Sequence, residues 1–372
     1  MGIFNDIKKL GFGLMRLPIR GGKLDSHEFS MMVRAFIGSG YSYFDTAPGY
    51  MGGYSEGFFK KHVSDMYNRE LFHIATKMPA WDSSRVHSAS DVEKLFESSL
   101  RDTGVDYFDF YLLHNIGEER TIIFEKYKVW DFVQRCLRNG QVLHYGISFH
   151  GKADELNTII TAHPDIEFVQ LQINYADWED NFVEARKCYE VASSQCKPVI
   201  VMEPLKGGTL ISLPPSFLEI FSRINCQSPA QWAFRWLASL SQVRIILSGM
   251  SSYSQMKENI EIFEHLSPLN IEEEVAINEV RSLIDAASFI PCTGCQYCRS
   301  SCPQLIPIDQ ILQALNIDHV YENRNAALNK YRFQTRDGNR ASICIKCKKC
   351  EKICPQHIEI CKFMSSAIEK FE

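Results

Sequence analysis

Residues 9–265 alternate short β-like runs with stretches of helical periodicity, and the alternation repeats eight times. The runs are KLGFGLMRL (9–17), YSYFDTA (41–47), FHIATKM (72–78), YFDFYLLH (107–114), VLHYGISF (142–149), EFVQLQIN (167–174), PVIVMEP (198–204) and VRIILSGM (243–250). Between them apolar residues recur at helical spacing, as in 91–104 and 153–163. Eight β/α units in about 250 residues predict an α/β chain folded as a (β/α)8 barrel, whose active site lies where the strands end. A doubly wound sheet is the other arrangement, but no G-x-G-x-x-G follows the first run.

Composition changes after residue 265. Residues 266–290 read as a proline-flanked linker with one acidic helix, and beyond it eight of the chain's 13 cysteines crowd into 292–354. The spacing is Cys292-x2-Cys295-x2-Cys298-x3-Cys302-Pro303, repeated as Cys344-x2-Cys347-x2-Cys350-x3-Cys354-Pro355. Three thiolates on a tight loop each bind one iron corner of a cubane, and the displaced fourth reaches the other cluster of a two-cluster protein. The expected ligand sets are therefore Cys292, Cys295, Cys298 and Cys354 for one [4Fe–4S] cluster, and Cys344, Cys347, Cys350 and Cys302 for the second. Zinc is the alternative, but its ligand pairs usually lack a third cysteine two residues on. Forty-one residues separate Cys302 from Cys344, and much of that stretch looks helical. This resembles the α-helical ferredoxin type. The expected division is a barrel over 1–268, a linker helix over 269–289 and a small, mainly α-helical two-cluster domain over 290–372. Lys346, Lys348, Lys349 and Lys352 surround the second motif. They offset thiolate charge on one reading and dock an acidic electron carrier on the other. Cys136, Cys188, Cys196 and Cys226 read as buried small hydrophobes and Cys361 as a spare ninth cysteine of the tail.

Hydrophobic residues make up 45% and charged residues 23% of the 372, as in ordinary globular chains. No apolar run nears the roughly 18 residues of a membrane helix. The start lacks an apolar h-region, and Asp6 breaks a myristoylation pattern at Gly2. A net charge of −5 gives no electrostatic reason for nucleic acid. The expectation is a cytoplasmic protein with neither membrane nor nucleic acid as partner.

Asp45, Lys77 and His114 fall at the ends of the second, third and fourth runs, and Tyr50 lies five residues past Asp45. A carbonyl accepting hydride develops oxyanion charge and needs a proton. Tyrosine, with an ordinary pKa of about 10, is a poor acid near pH 7. A neighbouring ammonium lowers that value, and a carboxylate keeps the lysine charged. Tyr43 and Tyr54 are rivals for the acid's place, Tyr43 being expected to pack within the second strand. FDTAPGY (44–50), ATK (75–77) and YLLH (111–114) resemble the aldo-keto reductases, in order over most of 9–265. MEPLKGG (202–208), IPCTGCQYC (290–298) and CPQHI (354–358) resemble the iron–sulfur subgroup of that family. The resemblance implies the same roles: Tyr50 as general acid/base, Lys77 as its activator, Asp45 as the lysine's partner and His114 orienting the carbonyl. His73, His144 and His150 read as structural.

By family register, Ser148 and Gln170 correspond to residues that hold a nicotinamide carboxamide, and Glu258 and Asn259 to residues near the adenine. Lys206, Gly207 and Gly208 would set backbone N–H groups and a cation against phosphate. Met202 stands where many members stack an aromatic ring. Gly249 and Gln255 stand where NADPH-preferring members carry Lys and Arg, so both NADP and NAD remain open. Hydride transfer moves two electrons, whereas each cluster passes one, and a flavin such as FMN converts between the two. The expected function is a carbonyl–alcohol oxidoreductase joined to two [4Fe–4S] clusters, with a ferredoxin- or flavodoxin-type carrier as electron partner. The alternatives are an FMN-dependent oxidoreductase and a non-enzymatic redox sensor. Trp81 and Trp178 are candidates to line the small-molecule pocket, in loops whose sequence names no substrate.

Overall fold

The computed structural model describes residues 2–117, 120–181, 183–287, 290–292, 297–354 and 356–372. All eight expected strands form: β1 (Leu10–Gly13), β2 (Tyr43–Asp45), β3 (His73–Met78), β4 (Phe108–Ile116), β5 (Val142–Phe149), β6 (Phe168–Gln172), β7 (Val199–Met202) and β8 (Val243–Ser248). They pair in parallel, each with its sequence neighbour, and β1 closes the ring against β8. The first strand is shorter than its run. It ends at Gly13, and a small antiparallel hairpin follows, Ile19–Arg20 against Lys23–Leu24.

Inward-facing side chains fill the cylinder. Tyr43, Phe110, Leu112, Phe168 and Ile200 meet on its axis, and Phe4 from the N-terminal segment joins them from outside the strands. Phe4 stacks on Phe110 at 5.0 Å and meets Phe168 edge-on at 5.7 Å. Burying such rings is the main apolar contribution at this end of the barrel. Backbone approach is tight at Gly146 of β5, where an added Cβ would lie 2.4 Å from the Phe168 carbonyl oxygen, so only glycine fits.

Contacts divide the chain into two compact units. The first comprises residues 1–174, 183–204 and 237–268, which include all eight strands. The second comprises 175–182, 205–236 and 269–372. One division falls after residue 268, and two stretches of the barrel sequence, those following β6 and β7, group with the cysteine-rich unit. The helix Ile271–Ala287, expected as a linker, packs within that unit. Its Glu273, 3% exposed, accepts from Arg235 Nη2 at 2.7 Å and from Asn225 Nδ2 at 3.1 Å. Two of the four scattered cysteines depart from expectation: Cys136 and Cys188 are buried, but Cys196 and Cys226 are exposed. Both follow helices, Cys196 in a turn and Cys226 in an irregular stretch, where small residues need no burial.

Inside the second unit the cysteine motif repeats as structure. Cys302 and Cys354 each accept a backbone bond at 3.1 Å from the residue three further on, Leu305 and His357, both with φ of 52°. The isoleucines that follow, Ile306 with Ile308 and Ile358 with Ile360, are buried in both copies. The repeat therefore extends past the cysteines to Cys-Pro-Gln-x-Ile-x-Ile. Apolar side chains of Ile308–Val320 and Ile360–Phe371 complete this core.

Candidate active site and cysteine cavity

Strands β2, β3 and β4 present Asp45, Lys77 and His114 at or near their C-terminal ends, and the turn after β2 carries Tyr50. Lys77 is 1% exposed and Asp45 3%. The Lys77 ammonium donates to Asp45 Oδ1 at 2.5 Å and to the Thr46 carbonyl at 2.8 Å. It stands 4.7 Å from the centroid of the Tyr50 ring and interacts with that residue's hydroxyl. Tyr50 and His114 meet edge-on with ring centroids 5.9 Å apart. The four expected residues are thus brought together. The rival tyrosines are not: Tyr43 lies in the aromatic core, and Tyr54 is 70% exposed.

Electrostatics divide the roles. Burial pushes the Tyr50 hydroxyl above the ordinary tyrosine value, and Lys77 pulls against it without prevailing. The sequence argument anticipated the pull but not the desolvation that opposes it. For Lys77, burial acts to lower the value, and Asp45 and Tyr50 more than offset it, so the ammonium stays charged. Burial first, then Lys77, His150 and Arg120, push His114 well below its usual value, leaving a neutral imidazole at pH 7. His150, read from sequence as structural, therefore lies within electrostatic reach of the site, whereas His73 bonds Ser42 and His144 bonds Glu167. Trp81 joins the site by donating from Nε1 to the His114 carbonyl at 2.7 Å. Trp178 belongs to the second unit, where it meets Trp236 at 5.1 Å.

Sequence reasoning missed the bracing behind this site. Strand alternation turns Thr46 and Thr76 away from the barrel axis, next in sequence to Asp45 and Lys77. The Thr46 hydroxyl meets Ser55 Oγ at 2.8 Å, and Thr76 donates to Glu56 Oε1 at 2.7 Å. Ser55 donates onward to the Leu14 carbonyl at 3.0 Å, and Ser99 to Glu56 Oε2 at 3.3 Å. All five of these side chains are buried. Burial raises the Glu56 carboxyl from 4.5 to about 7. The signal was the Ser-Glu pair at the start of the short helix Ser55–Phe59, legible only once the two strands are neighbours.

Ser148 and Gln170 lie directly opposite each other across β5 and β6. Gln170 donates to Asp45 Oδ2 at 3.0 Å, tying this pair to the tetrad. The Ser148 hydroxyl is buried with no hydrogen-bond partner among the described residues. Such a group is costly unless a ligand satisfies it, and a carboxamide edge fits both residues. After β8, the helix Tyr253–Glu264 is capped by Ser252, which accepts from Gln255 N at 3.3 Å. Asn259 is buried and donates to Ser248 Oγ at 2.8 Å, while Glu258 is exposed. At Gly249 an added Cβ would lie 3.2 Å from Arg16 Cδ, so a cation from the loop after β1 crosses this position. Lys206, Gly207 and Gly208 belong to the second unit, and the Lys206 ammonium is paired with Asp177 there. That carboxylate outweighs the effect of burial and holds the Lys206 value above ordinary.

In the second unit, Cys302, Cys344, Cys347 and Cys350 line one small cavity that opens to solvent. Cys361, expected to be spare, lines it too. Lys346 and Lys348 have φ of 53° and 60° on either side of Cys347, a winding of the kind that builds concave seats for anionic groups. Among the described residues, no three His, Cys, Asp or Glu side chains converge tightly enough to hold a single ion. Four thiols spread round a cavity suit the separate corners of a cluster better than one zinc, whose sulfurs all lie about 2.3 Å from one point. Cys292 and Cys298 of the other expected set are partly buried and buried, and Cys295 lies outside the described residues.

Comparisons with known proteins agree with this architecture. The aldo/keto reductase family model matches residues 9–282, and a 4Fe-4S dicluster domain model matches residues 288–358. The chain is 24% identical to an L-galactose dehydrogenase of Arabidopsis thaliana over 75% of its length and 91% of the relative's. It is 28% identical to an aldo-keto reductase of Mycolicibacterium vanbaalenii, covering 67% and 83%. Among solved structures, an aldo-keto reductase from Bacillus halodurans superposes with a TM-score of 0.61 at 21% identity, over 75% of this chain and 95% of that one. Another from Klebsiella pneumoniae, in complex with NADPH, gives 0.60 at 17% identity, covering 74% and 91%. Among the described residues, no helix is long and apolar enough to cross a membrane. The chain belongs to the aldo/keto reductase family and is an oxidoreductase carrying a C-terminal 4Fe-4S dicluster domain.

Proposed function

We propose that the barrel interconverts a carbonyl and an alcohol, with Tyr50 as the proton donor and acceptor. The observation that carries this reading is the buried Asp45–Lys77 pair set against the Tyr50 ring beside His114. A nicotinamide, when bound, supplies or accepts the hydride. Ser148 and Gln170 would hold its carboxamide, and the buried, unpartnered Ser148 hydroxyl supports that placement. Asn259, Glu258, Gln255 and Gly249 would lie toward the adenine end, as the family register implies. The Klebsiella relative's complex with NADPH favours a dinucleotide carrying a 2′-phosphate, whereas Arg16, beside Gly249, is paired with Glu203 at 3.2 Å.

The protein's own residues divide the proton work. Tyr50, raised by burial, holds its proton until negative charge develops on the carbonyl oxygen. The Lys77 ammonium steadies the phenolate that forms when that proton leaves, and Asp45 keeps Lys77 charged and aimed. Neutral His114 donates an N–H to the same oxygen and so fixes its orientation. Tyr50→Phe tests this: turnover should fall at least about a hundredfold with dinucleotide binding retained. Unchanged turnover refutes the assignment.

In the dicluster domain, Cys302, Cys344, Cys347 and Cys350 would hold one [4Fe–4S] cluster and Cys292, Cys295, Cys298 and Cys354 the other. The shared cavity supports the first set. The clusters would serve one-electron exchange with a ferredoxin- or flavodoxin-type carrier. Because a hydride carries two electrons, an FMN in the barrel is the second reading. Anaerobic purification followed by extraction of the bound cofactor separates the two. Absence of extractable flavin removes the FMN reading, and its presence removes the nicotinamide-only one.

A further inference from the structure

The surface bearing Cys347 is unusual for this chain. Cys347 is exposed, so one wall of the cavity it lines opens to solvent. Lys346, Lys348, Lys349 and Lys352 are all exposed around it, whereas the chain as a whole carries −5. One carboxylate, Glu351, lies among them; it approaches Lys348 at 4.0 Å and accepts from the Cys361 backbone N–H at 2.9 Å. Ile343, Ile345 and Ile353 are 38%, 61% and 46% exposed within the same eleven residues, 343–353. Single exposed apolar residues need no explanation, but these three lie within eleven residues, interleaved with lysines, and Ile345 lines the cavity itself.

Two readings compete for these lysines. If they served to offset thiolate charge, their ammonium groups would be expected to lie over the cavity and out of water. Lys348 lines the cavity, but all four are exposed, where water and salt screen charges over about 8 Å. Charge balance also leaves the exposed isoleucines without a role. A basic rim around an apolar centre is, by contrast, what a transient electron-transfer interface presents. Such contacts are small, and opposite charge steers the encounter.

We propose that the face formed by residues 343–353 docks an acidic electron-carrier protein that exchanges one electron per encounter. Cys302, Cys344, Cys347 and Cys350 would hold the cluster that would supply or accept that electron as the carrier is reduced or oxidised by one, with no bond made or broken. The proposal rests on the reading that Cys302, Cys344, Cys347 and Cys350 hold that cluster.

The test uses the full-length protein purified anaerobically with its iron intact. Reduced protein is mixed in stopped flow with an oxidised acidic two-[4Fe–4S] ferredoxin, with an acidic flavodoxin and with a small uncharged mediator, at several salt concentrations. For wild type, the rate to at least one protein carrier should fall as salt rises. Lys346→Glu with Lys349→Glu and Lys352→Glu should cut that rate at least about tenfold at low salt. Ile353→Ser should weaken carrier binding without altering the salt dependence. Iron content, visible spectrum and the rate to the mediator should not change in any variant. A variant with an altered spectrum or potential but an unaltered carrier rate overturns the proposal in favour of charge offsetting. A carrier rate that is indifferent to salt overturns it as well. Loss of mediator reactivity or of cluster signal in the wild-type protein overturns instead the cluster reading beneath it.

Discussion

Lys77→Met keeps most of the side chain's bulk and removes its charge. Asp45, 3% exposed, is then left with one side-chain partner, Gln170 Nε2 at 3.0 Å. Removing one member of a buried ion pair costs about 3–5 kcal/mol. At about 2–4 °C per kcal/mol for a domain of this size, the barrel's melting midpoint should fall by about 6–20 °C near pH 8. Adding Asp45→Asn removes the charge that was stranded, so the double variant should recover most of the lost stability. Neither variant should recover turnover, which stays at least about a hundredfold down because Tyr50 has lost its ammonium. The assays are thermal melts from pH 5 to 8, carbonyl reduction and dinucleotide titration. A single variant as stable as wild type at pH 8, or a double variant no more stable than the single, refutes the argument. So does full turnover in either.

Two further outcomes test other parts of the molecule. Glu56→Gln removes a carboxyl that burial raises from 4.5 to about 7. Wild type should lose stability relative to the variant as pH rises across that window and level off above it, since the raised group resists ionising in the folded state. Parallel melting midpoints from pH 4.5 to 7.5 refute the shift. Cys302→Ala should cost the cluster whose other ligands are Cys344, Cys347 and Cys350, roughly halving iron and sulfide while the second signal persists. Loss confined to the cluster of Cys292, Cys295 and Cys298 contradicts the crossover.

Much of the fold is legible because it is written in local spacing. Runs such as 107–114 and 142–149 announce strands by composition and length, and eight of them in alternation with helices leave a closed barrel as the main solution. Strand ends were less legible: β1 stops at Gly13, four residues before its run does. The tetrad was readable because Asp45, Lys77 and His114 fall near strand ends, and closure of the ring does the rest. The bracing by Ser55 and Glu56 was not, since nothing in that dipeptide says which strands will stand beside it. Nor could sequence show that Asp177 claims Lys206, twenty-nine residues away.

The order of residues alone decided the number of strands, the cysteine spacing that fits a cubane, and the identity of four groups able to move a proton and polarise a carbonyl. These depend on periods of two and 3.6 residues and on ligand intervals, all of them short-range. Tertiary structure decided which tyrosine meets the ammonium, that desolvation outweighs that ammonium at Tyr50, and that residues 175–182 and 205–236 pack with the cysteine-rich unit. Each of those outcomes depends on what excludes water from a group, and that is set by residues far away in the chain.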